Sequence, residues 1–189
     1  MKIAITGSSR GIGYAISEQF KAQGHDVIGF NKSEGWDISN KNIQSKIVYT
    51  VRDCDMFINN AHSGFAQVDL LFLLHKMWQG SDKIIANIAS SITMRWDTSN
   101  RDPKYRTEKL ALDDACQYLW NKAGWPHIML FKPCATATER MAHWTGNKVS
   151  PEAIADFLIY CINQKQFRIQ QVGIAINPDV GPNKNNLGK

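Results

Sequence analysis

The sequence predicts a single α/β domain, built as a doubly wound parallel sheet with helices on both faces. Three observations carry that reading. Short apolar runs alternate with segments of helical spacing along the chain. The runs lack the strict apolar–polar alternation of a sheet with one wet face, so both faces are expected to be covered. No repeat, linker or low-complexity stretch divides them, and 189 residues suffice for one well-packed domain rather than two.

The elements follow in order. Ile3–Thr6 is a short apolar strand, and residues 12–23 carry Ile12, Ala15, Ile16 and Phe20 at helical spacing. Residues 25–30 form a second strand, followed by a polar turn and a helix from Asn40 to about Val51. Residues 55–59 are a strand, 68–78 an apolar helix, and 83–89 a strand. After an irregular stretch come a long helix over 103–123, a strand over 127–131, a helix over 151–163 and a last strand over 172–176. Right-handed crossovers make this one doubly wound domain over residues 1–180, with 181–189 a polar C-terminal tail.

Composition narrows the function classes. Hydrophobic residues make up 43% and charged residues 21%, which argues against disorder. The longest aliphatic-aromatic run, Leu70 to Leu74, falls far short of the ~20 residues a membrane helix needs. The N-terminus runs straight into a strand and turn, unlike a signal peptide. Cys54, Cys116, Cys134 and Cys161 lie far apart and the histidines form no metal-ligand pair, so we expect reduced thiols, no metal and a cytoplasmic protein. The net charge of +5 fits an anionic ligand as well as nucleic acid. No basic stripe or aromatic platform supports the latter, and neither nucleic acid nor membrane is expected as a partner.

Between the first strand and the first helix stands Thr6-Gly7-Ser8-Ser9-Arg10-Gly11-Ile12-Gly13. Its glycines permit a tight turn and close backbone approach, and the helix N-terminus offers free N–H groups to a pyrophosphate. The turn resembles that of the short-chain dehydrogenase/reductase family, and further landmarks follow in that family's order. Asp37 in Trp36-Asp37-Ile38-Ser39 resembles the acid that meets the adenine. Asn59-Asn60-Ala61 resembles Asn-Asn-Ala-Gly, with His62 in place of the glycine. Asn87-Ile88-Ala89-Ser90 resembles the strand end that carries the catalytic serine; Ser91 competes, but Ser90 holds the fourth position of the motif. Tyr105-Arg106-Thr107-Glu108-Lys109 is similar to the Tyr-x-x-x-Lys signature. Pro133 to Thr138 resembles Pro-Gly-x-x-x-Thr, with Cys134 for glycine.

The resemblance implies a Rossmann-type fold and a shortened member of the family. It implies a catalytic Ser90, Tyr105 and Lys109. It also implies cofactor contacts from Gly7, Ser9, Arg10, Gly11, Ile12, Gly13, Asn31, Lys32, Asp37, Ile38, Asn60, Ala61, Tyr105, Lys109, Pro133, Thr136 and Thr138. The chemistry is consistent with that. Residues four apart on a helix differ by only ~40° in direction, so Tyr105 and Lys109 share a face. A phenol that titrates near ~10 moves toward a useful acid/base range beside an ammonium. Lys109 can also hold ribose hydroxyls, while Ser90 hydrogen-bonds the substrate oxygen.

The second strand ends Gly29-Phe30-Asn31-Lys32-Ser33, without the carboxylate that NAD enzymes of this fold place on the ribose. Arg10 and Lys32 stand where, in the resembling family, basic residues accompany NADP. NADP(H) is therefore favoured, with NAD(H) the alternative.

Two departures stand out. No asparagine lies between Asn60 and Asn87 to take the part of the family's proton-relay asparagine; Gln67, Asp69 and His62 are read as having no direct role. The segment from Glu139 to Val149 makes a small substrate lid, in which Met141, His143 and Trp144 either cover the nicotinamide or simply pack. Cys134 is read as a packed residue. The apolar 70–74 helix and Leu112, Leu119 and Trp120 of the long helix suggest a homodimer or homotetramer. The expected function is an NADP(H)-dependent oxidoreductase acting on a small-molecule carbonyl or alcohol. The alternative is a nicotinamide-nucleotide-binding redox sensor without turnover.

Overall fold

The structure, a computed structural model, describes residues 1–94, 102–122 and 126–177; the expected polar tail lies outside them, as does Ala123 at the expected end of the long helix. In chain order the elements are β1 (Lys2–Thr6), α1 (Gly11–Ala22), β2 (Asp26–Phe30), α2 (Lys41–Thr50), β3 (Met56–Asn59), α3 (Ala66–Met77) and β4 (Ile84–Ile88). They continue with α4 (Pro103–Trp120), β5 (His127–Lys132), α5 (Pro151–Ile162) and β6 (Gln171–Gly173). The strands form one parallel sheet in the order β2-β1-β3-β4-β5-β6.

Both faces of the sheet are buried, which is why its strands read as unbroken apolar runs. Ile3 and Ile5 of β1 and Met56 and Ile58 of β3 point to one side, where Ile16 and Phe20 of α1 and Ile154 and Leu158 of α5 cover them. Ala4 and Phe57 point to the other, under Leu70, Leu71 and Leu74 of α3 and Leu112 and Cys116 of α4. Each fully buried Leu, Ile or Phe contributes about 1.5–3 kcal/mol of transfer free energy to holding the layers together.

Local chemistry sets the helix starts. Asp102 caps α4 by accepting from the Tyr105 amide at 2.9 Å, and Pro103 takes the first helical position, where a missing N–H costs nothing. Ser150 and Pro151 repeat that arrangement on α5, with Ser150 accepting from the Ala153 amide at 3.2 Å. Helix α1 differs: Arg10 at its N-cap is extended and contributes no side-chain cap.

Two details differ from the sequence reading. Helix α3 begins at Ala66, two residues ahead of the expected Val68. Strand β6 covers Gln171–Gly173 rather than 172–176, pairing with Leu130–Lys132, and the Ile174 amide closes the ladder by donating to the Lys132 carbonyl at 3.0 Å.

The sheet order carries a further finding. The dinucleotide-binding order 3-2-1-4-5-6 places two strands beyond the first. Here β2 alone lies beyond β1, and the chain passes from β2 through a 3₁₀ turn at Lys32–Glu34 to α2. The strand order reverses between β1 and β3, and the crevice outside their carboxyl ends is where such sheets bind ligands. Among the described residues no helix is long and apolar enough to cross a membrane.

Candidate active site

The turn after β1 is shaped by contacts that leave no room for side chains. A Cβ on Gly13 would stand 2.2 Å from the Gly7 carbonyl oxygen and 2.5 Å from Asn60 Nδ2. Gly11 has φ +58, a left-handed conformation that L side chains rarely adopt. Asn60 clamps the turn from the end of β3: its Nδ2 donates to the Thr6 and Gly7 carbonyls at 3.0 and 3.1 Å. Thr6 Oγ1 accepts in return from the Asn60 and Ala61 amides, each at 3.0 Å. Ser9 is exposed above this frame, and Ile12 opens α1 partly buried.

With no side-chain cap on α1, its first-turn amides are open to an external acceptor, and the helix dipole favours an anion there. Thr138, past the end of β5, leans over the turn with Cγ2 3.1 Å from where a Gly11 Cβ would lie. A cavity of about 310 Å³ beside the turn is lined by Ser8, Ser9, Tyr14, Asn31 and Glu34, among others. These donors and this close backbone fit a nucleotide diphosphate.

The two expected phosphate-binding cations are each occupied by a carboxylate. Arg10 Nη1 is 2.7 Å from Glu139 Oε2, with the side chains 77% and 75% exposed. Lys32 Nζ is 2.8 Å from Asp37 Oδ2. That lysine, joined by the amide and hydroxyl of Ser39 at 3.0 and 2.8 Å, holds the Asp37 carboxyl down at about 2. Asn31 is buried, with Oδ1 accepting from Ser8 Oγ at 3.3 Å, and Ile38 is a core residue whose carbonyl accepts from Gln44 Nε2 at 2.8 Å. Arg10 and Lys32 therefore do not converge as free charges. Both pairs are exposed and screened by water, so a phosphate can displace the carboxylates at little cost.

At the ends of β3 and β4 the polar groups sink into the protein. Tyr105 and Lys109 share one face of α4, as the spacing predicts, and Ser90, just past the end of β4, is close enough to bear on the Tyr105 phenol. Ser91 is buried, and its amide donates to the Pro133 carbonyl at 3.0 Å. Lys109 is buried, and its Nζ donates to Gln67 Oε1 at 2.6 Å and to the Ile88 carbonyl at 2.8 Å. Gln67 is fixed in turn, donating from Nε2 to the Asn59 and Ile88 carbonyls at 2.7 and 3.2 Å. Asn59 Nδ2 donates to the Gln67 carbonyl at 2.8 Å and to Asn87 Oδ1 at 3.0 Å. One step further along α4, Asp113 and Lys132 form a buried ion pair at 2.5 Å, each side chain 6% exposed.

This network corrects the expectation for Gln67 and His62, since both touch the Tyr105–Lys109 pair. Gln67 is the acceptor that holds Lys109. The His62 ring meets the Tyr105 ring edge-on with centroids 4.8 Å apart, and His62 Nε2 lies 2.8 Å from Glu108 Oε2. Burial, with the charges of Lys109 and Arg140, pushes the His62 imidazole down to about 4, so it is neutral at pH 7. Asp69 points elsewhere and pairs with Lys41.

Sequence reasoning missed two groups. Glu108 is buried on the Tyr105–Lys109 face, and its i+3 spacing from Tyr105 was the signal that could have found it. Arg140, on the 3₁₀ turn Glu139–Met141, lies over the Tyr105 ring with Cζ 4.3 Å from the centroid. No spacing in the sequence foretells a loop folding back over α4. Arg140 also changes the electrostatics. Burial raises the Tyr105 phenol, and Arg140 and then the nearby Ser90 hydroxyl pull it back. Burial and then Arg140 push Lys109 down to about 7. The cation that bears on Tyr105 is thus the loop arginine, while Lys109 Nζ stands 5.6 Å from the ring centroid.

Past β5, Pro133 and Cys134 are buried, and burial raises the Cys134 thiol, as a packed residue requires. Thr136 Oγ1 donates to the Cys134 carbonyl at 2.9 Å, and Thr136 bridges to Val149. In the lid, Trp144 folds against Gly146 of its own loop, Met141 is partly buried and His143 is exposed.

No protein-family model matches the sequence, and no curated protein matches it. The folded chain does resemble solved structures. One is an alcohol dehydrogenase from the archaeon Thermococcus sibiricus, complexed with 5-hydroxy-NADP: 17% identity, TM-score 0.75, covering 92% of this chain and 96% of that one. A short-chain dehydrogenase from Burkholderia cenocepacia J2315 in complex with NADP is 14% identical, with TM-score 0.76, over 93% and 90%. The 3-alpha-hydroxysteroid dehydrogenase from Pseudomonas sp. B-0831, complexed with NADH, is 16% identical, with TM-score 0.73, over 92% and 94%. With a parallel sheet, helices on both faces and an open glycine turn at the strand-order reversal, the chain has the Rossmann-type fold of the short-chain dehydrogenases and reductases.

Proposed function

We propose that the protein is an oxidoreductase of the short-chain type, using NADP(H) in preference to NAD(H) and acting on a carbonyl or alcohol. The observation that carries this reading is Tyr105 one helical turn from a buried Lys109, with Ser90 close enough to bear on its phenol, beside a glycine turn open to an anion. Of the three solved structures named above, two hold NADP or a derivative and one holds NADH.

When bound, the nicotinamide supplies or accepts the hydride. The chain's residues handle binding, orientation and the proton. The α1 amides and the turn carry the diphosphate, with Arg10 and Lys32 exchanging their carboxylates for the 2′-phosphate. Ser90 donates a hydrogen bond to the substrate oxygen. Tyr105 gives that oxygen its proton in reduction and removes it in oxidation. Two of the three Lys109 N–H groups are used by Gln67 and Ile88, leaving the third for a ribose hydroxyl. Arg140 favours the phenolate at the moment it forms.

Titration with NADPH and NADH, followed by turnover on a panel of aldehydes, ketones and alcohols, tests this with the wild type and Tyr105→Phe. We expect binding in both and turnover in the wild type alone. Binding with no turnover of any substrate favours the redox-sensor reading, and failure to bind either nucleotide removes both.

We also propose self-association through α3 and α4. Leu70, Leu71, Leu74, Leu112 and Leu119 are buried in the core of the domain and Trp120 packs against it, so the apolar groups left for a partner are the exposed Phe72, Leu73 and Tyr118, with the rings of Phe72 and Tyr118 6.5 Å apart. Light scattering that finds only monomer at working concentration overturns this.

A further inference from the structure

Resting on that reading, we propose that the substrate is anionic: an oxo acid, or the hydroxy acid it forms, whose carboxylate is held by Arg140 beside the reacting carbon. Three observations converge on this class.

The first is position. Arg140 Cζ lies 4.3 Å over the Tyr105 ring centroid, on the loop that covers the site, and Tyr105 bears the oxygen that exchanges a proton with the substrate. A group bound to that guanidinium stands within a short carbon chain of the phenol.

The second is availability. Among the described residues no carboxylate pairs with Arg140. Its neighbour Glu139 is taken by Arg10, Glu108 faces His62, and Asp113 faces Lys132. A guanidinium has five N–H donors and needs none of its carboxylate-binding fork to sit 4.3 Å over a ring, and that fork grips a carboxylate with two parallel hydrogen bonds.

The third is the field. His62 and Lys109 are both displaced toward their neutral forms, and in both cases Arg140 contributes after burial. Glu108 opposes Arg140 on both groups from inside the site, and the exposed Arg140 guanidinium is the charge that an arriving anion meets first. A neutral ketone leaves that charge unanswered.

Matched probes test the proposal. Pyruvate, acetoacetate and levulinate are compared with their ethyl esters, which keep the reacting carbonyl and lose the charge. The readout is kcat/KM with NADPH, for the wild type, Arg140→Leu and Arg140→Lys, alongside fluorescence titration of NADPH onto each protein. We expect at least one acid to exceed its ester by tenfold or more. In Arg140→Leu that ratio should fall by about tenfold to a hundredfold, the value of a hydrogen bond to a charged group. Arg140→Lys should keep part of it, since the charge stays and the fork is lost.

Esters turned over as well as acids, or a ratio that Arg140→Leu leaves intact, overturn the proposal. If Tyr105→Phe still abolishes ester turnover in that case, the oxidoreductase reading stands without it. Loss of NADPH affinity in Arg140→Leu with an unaltered acid-to-ester ratio assigns the arginine to the cofactor phosphates and overturns the proposal equally. Turnover of neither probe class by a protein that binds NADPH and reduces other carbonyls does so too.

Discussion

The two halves of the candidate site are held by opposite kinds of interaction. On the nucleotide side, around the turn after β1, the charges are exposed and paired with carboxylates that a ligand can replace: Arg10 with Glu139 and Lys32 with Asp37. On the substrate side, around α4 and the ends of β3 and β4, the polar groups are buried and knit together, from Asn87 through Asn59 and Gln67 to Lys109, with the Asp113–Lys132 pair beyond. Water screens the first set and leaves it exchangeable. The second is shielded, so each member depends on its partner. A ligand that arrives with its own phosphates needs replaceable partners, whereas a proton-transfer group needs a fixed one.

That contrast can be broken or sharpened by experiment. The largest effect is expected at the buried ion pair. Lys132→Met leaves Asp113 charged and alone in the interior and should cost about 3–5 kcal/mol in urea unfolding, with much of it recovered in Asp113→Leu/Lys132→Met. Should the single substitution prove no worse than one at the exposed pairs, the contrast falls. Tyr105→Phe should lower turnover by about 10²–10⁴-fold while NADPH titration stays close to wild type, a loss confined to the proton-transfer half.

Gln67→Leu removes an acceptor from Lys109 and should destabilise by about 1–3 kcal/mol. Lys109 offers a pH test of the same network. Its folded pKa, about 7, lies below the ordinary 10.5, so between those values the unfolded chain binds more protons than the folded one. Stability contributed by this group should therefore rise with pH across that window and be lost as pH falls toward 7. Lys109→Met should flatten the rise, and an unchanged slope in urea midpoints against pH would refute the assignment.

The smallest effects belong to the nucleotide side. Glu139→Gln should move stability by no more than about 1 kcal/mol. Lys32→Asp should leave the fold intact yet weaken NADPH binding far more than NADH binding, since it sets a carboxylate beside ionised Asp37 where the 2′-phosphate would sit. Equal losses for the two nucleotides would remove the NADP preference.

What was legible in the sequence divides along the same line. Strands announced themselves because both faces of the sheet are covered, and the motif residues fall at strand ends because the chain must turn there. The shared face of Tyr105 and Lys109 followed from helix geometry alone. Gln67 was weighed and set aside, because nothing in a linear chain says that the first turn of α3 leans against α4. Arg140 was invisible for the same reason, as its meaning comes from a loop folding back over a helix. The pairing of Arg10 and Lys32 with carboxylates was hidden likewise, since Glu139 lies far from Arg10 along the chain. The single strand beyond β1 has no signal in the sequence either: the departures read there lie after Asn60 and in the lid, while the sheet order shows a contraction just past β2.

One packing arrangement sets a timetable for synthesis. The apolar stripe of α1, with Ile16 and Phe20, is covered by Ile154 and Leu158 of α5. Helix α1 leaves a ribosome well ahead of α5, so during translation the earlier helix waits, with its stripe only partly covered, for the residues between them to be made. The strands it rests on are parallel, so none can pair with its immediate successor through a tight hairpin before the intervening helix exists. A chain that ends before α5 keeps the packing of α1 on β1 and β3 but leaves this face of the sheet half covered.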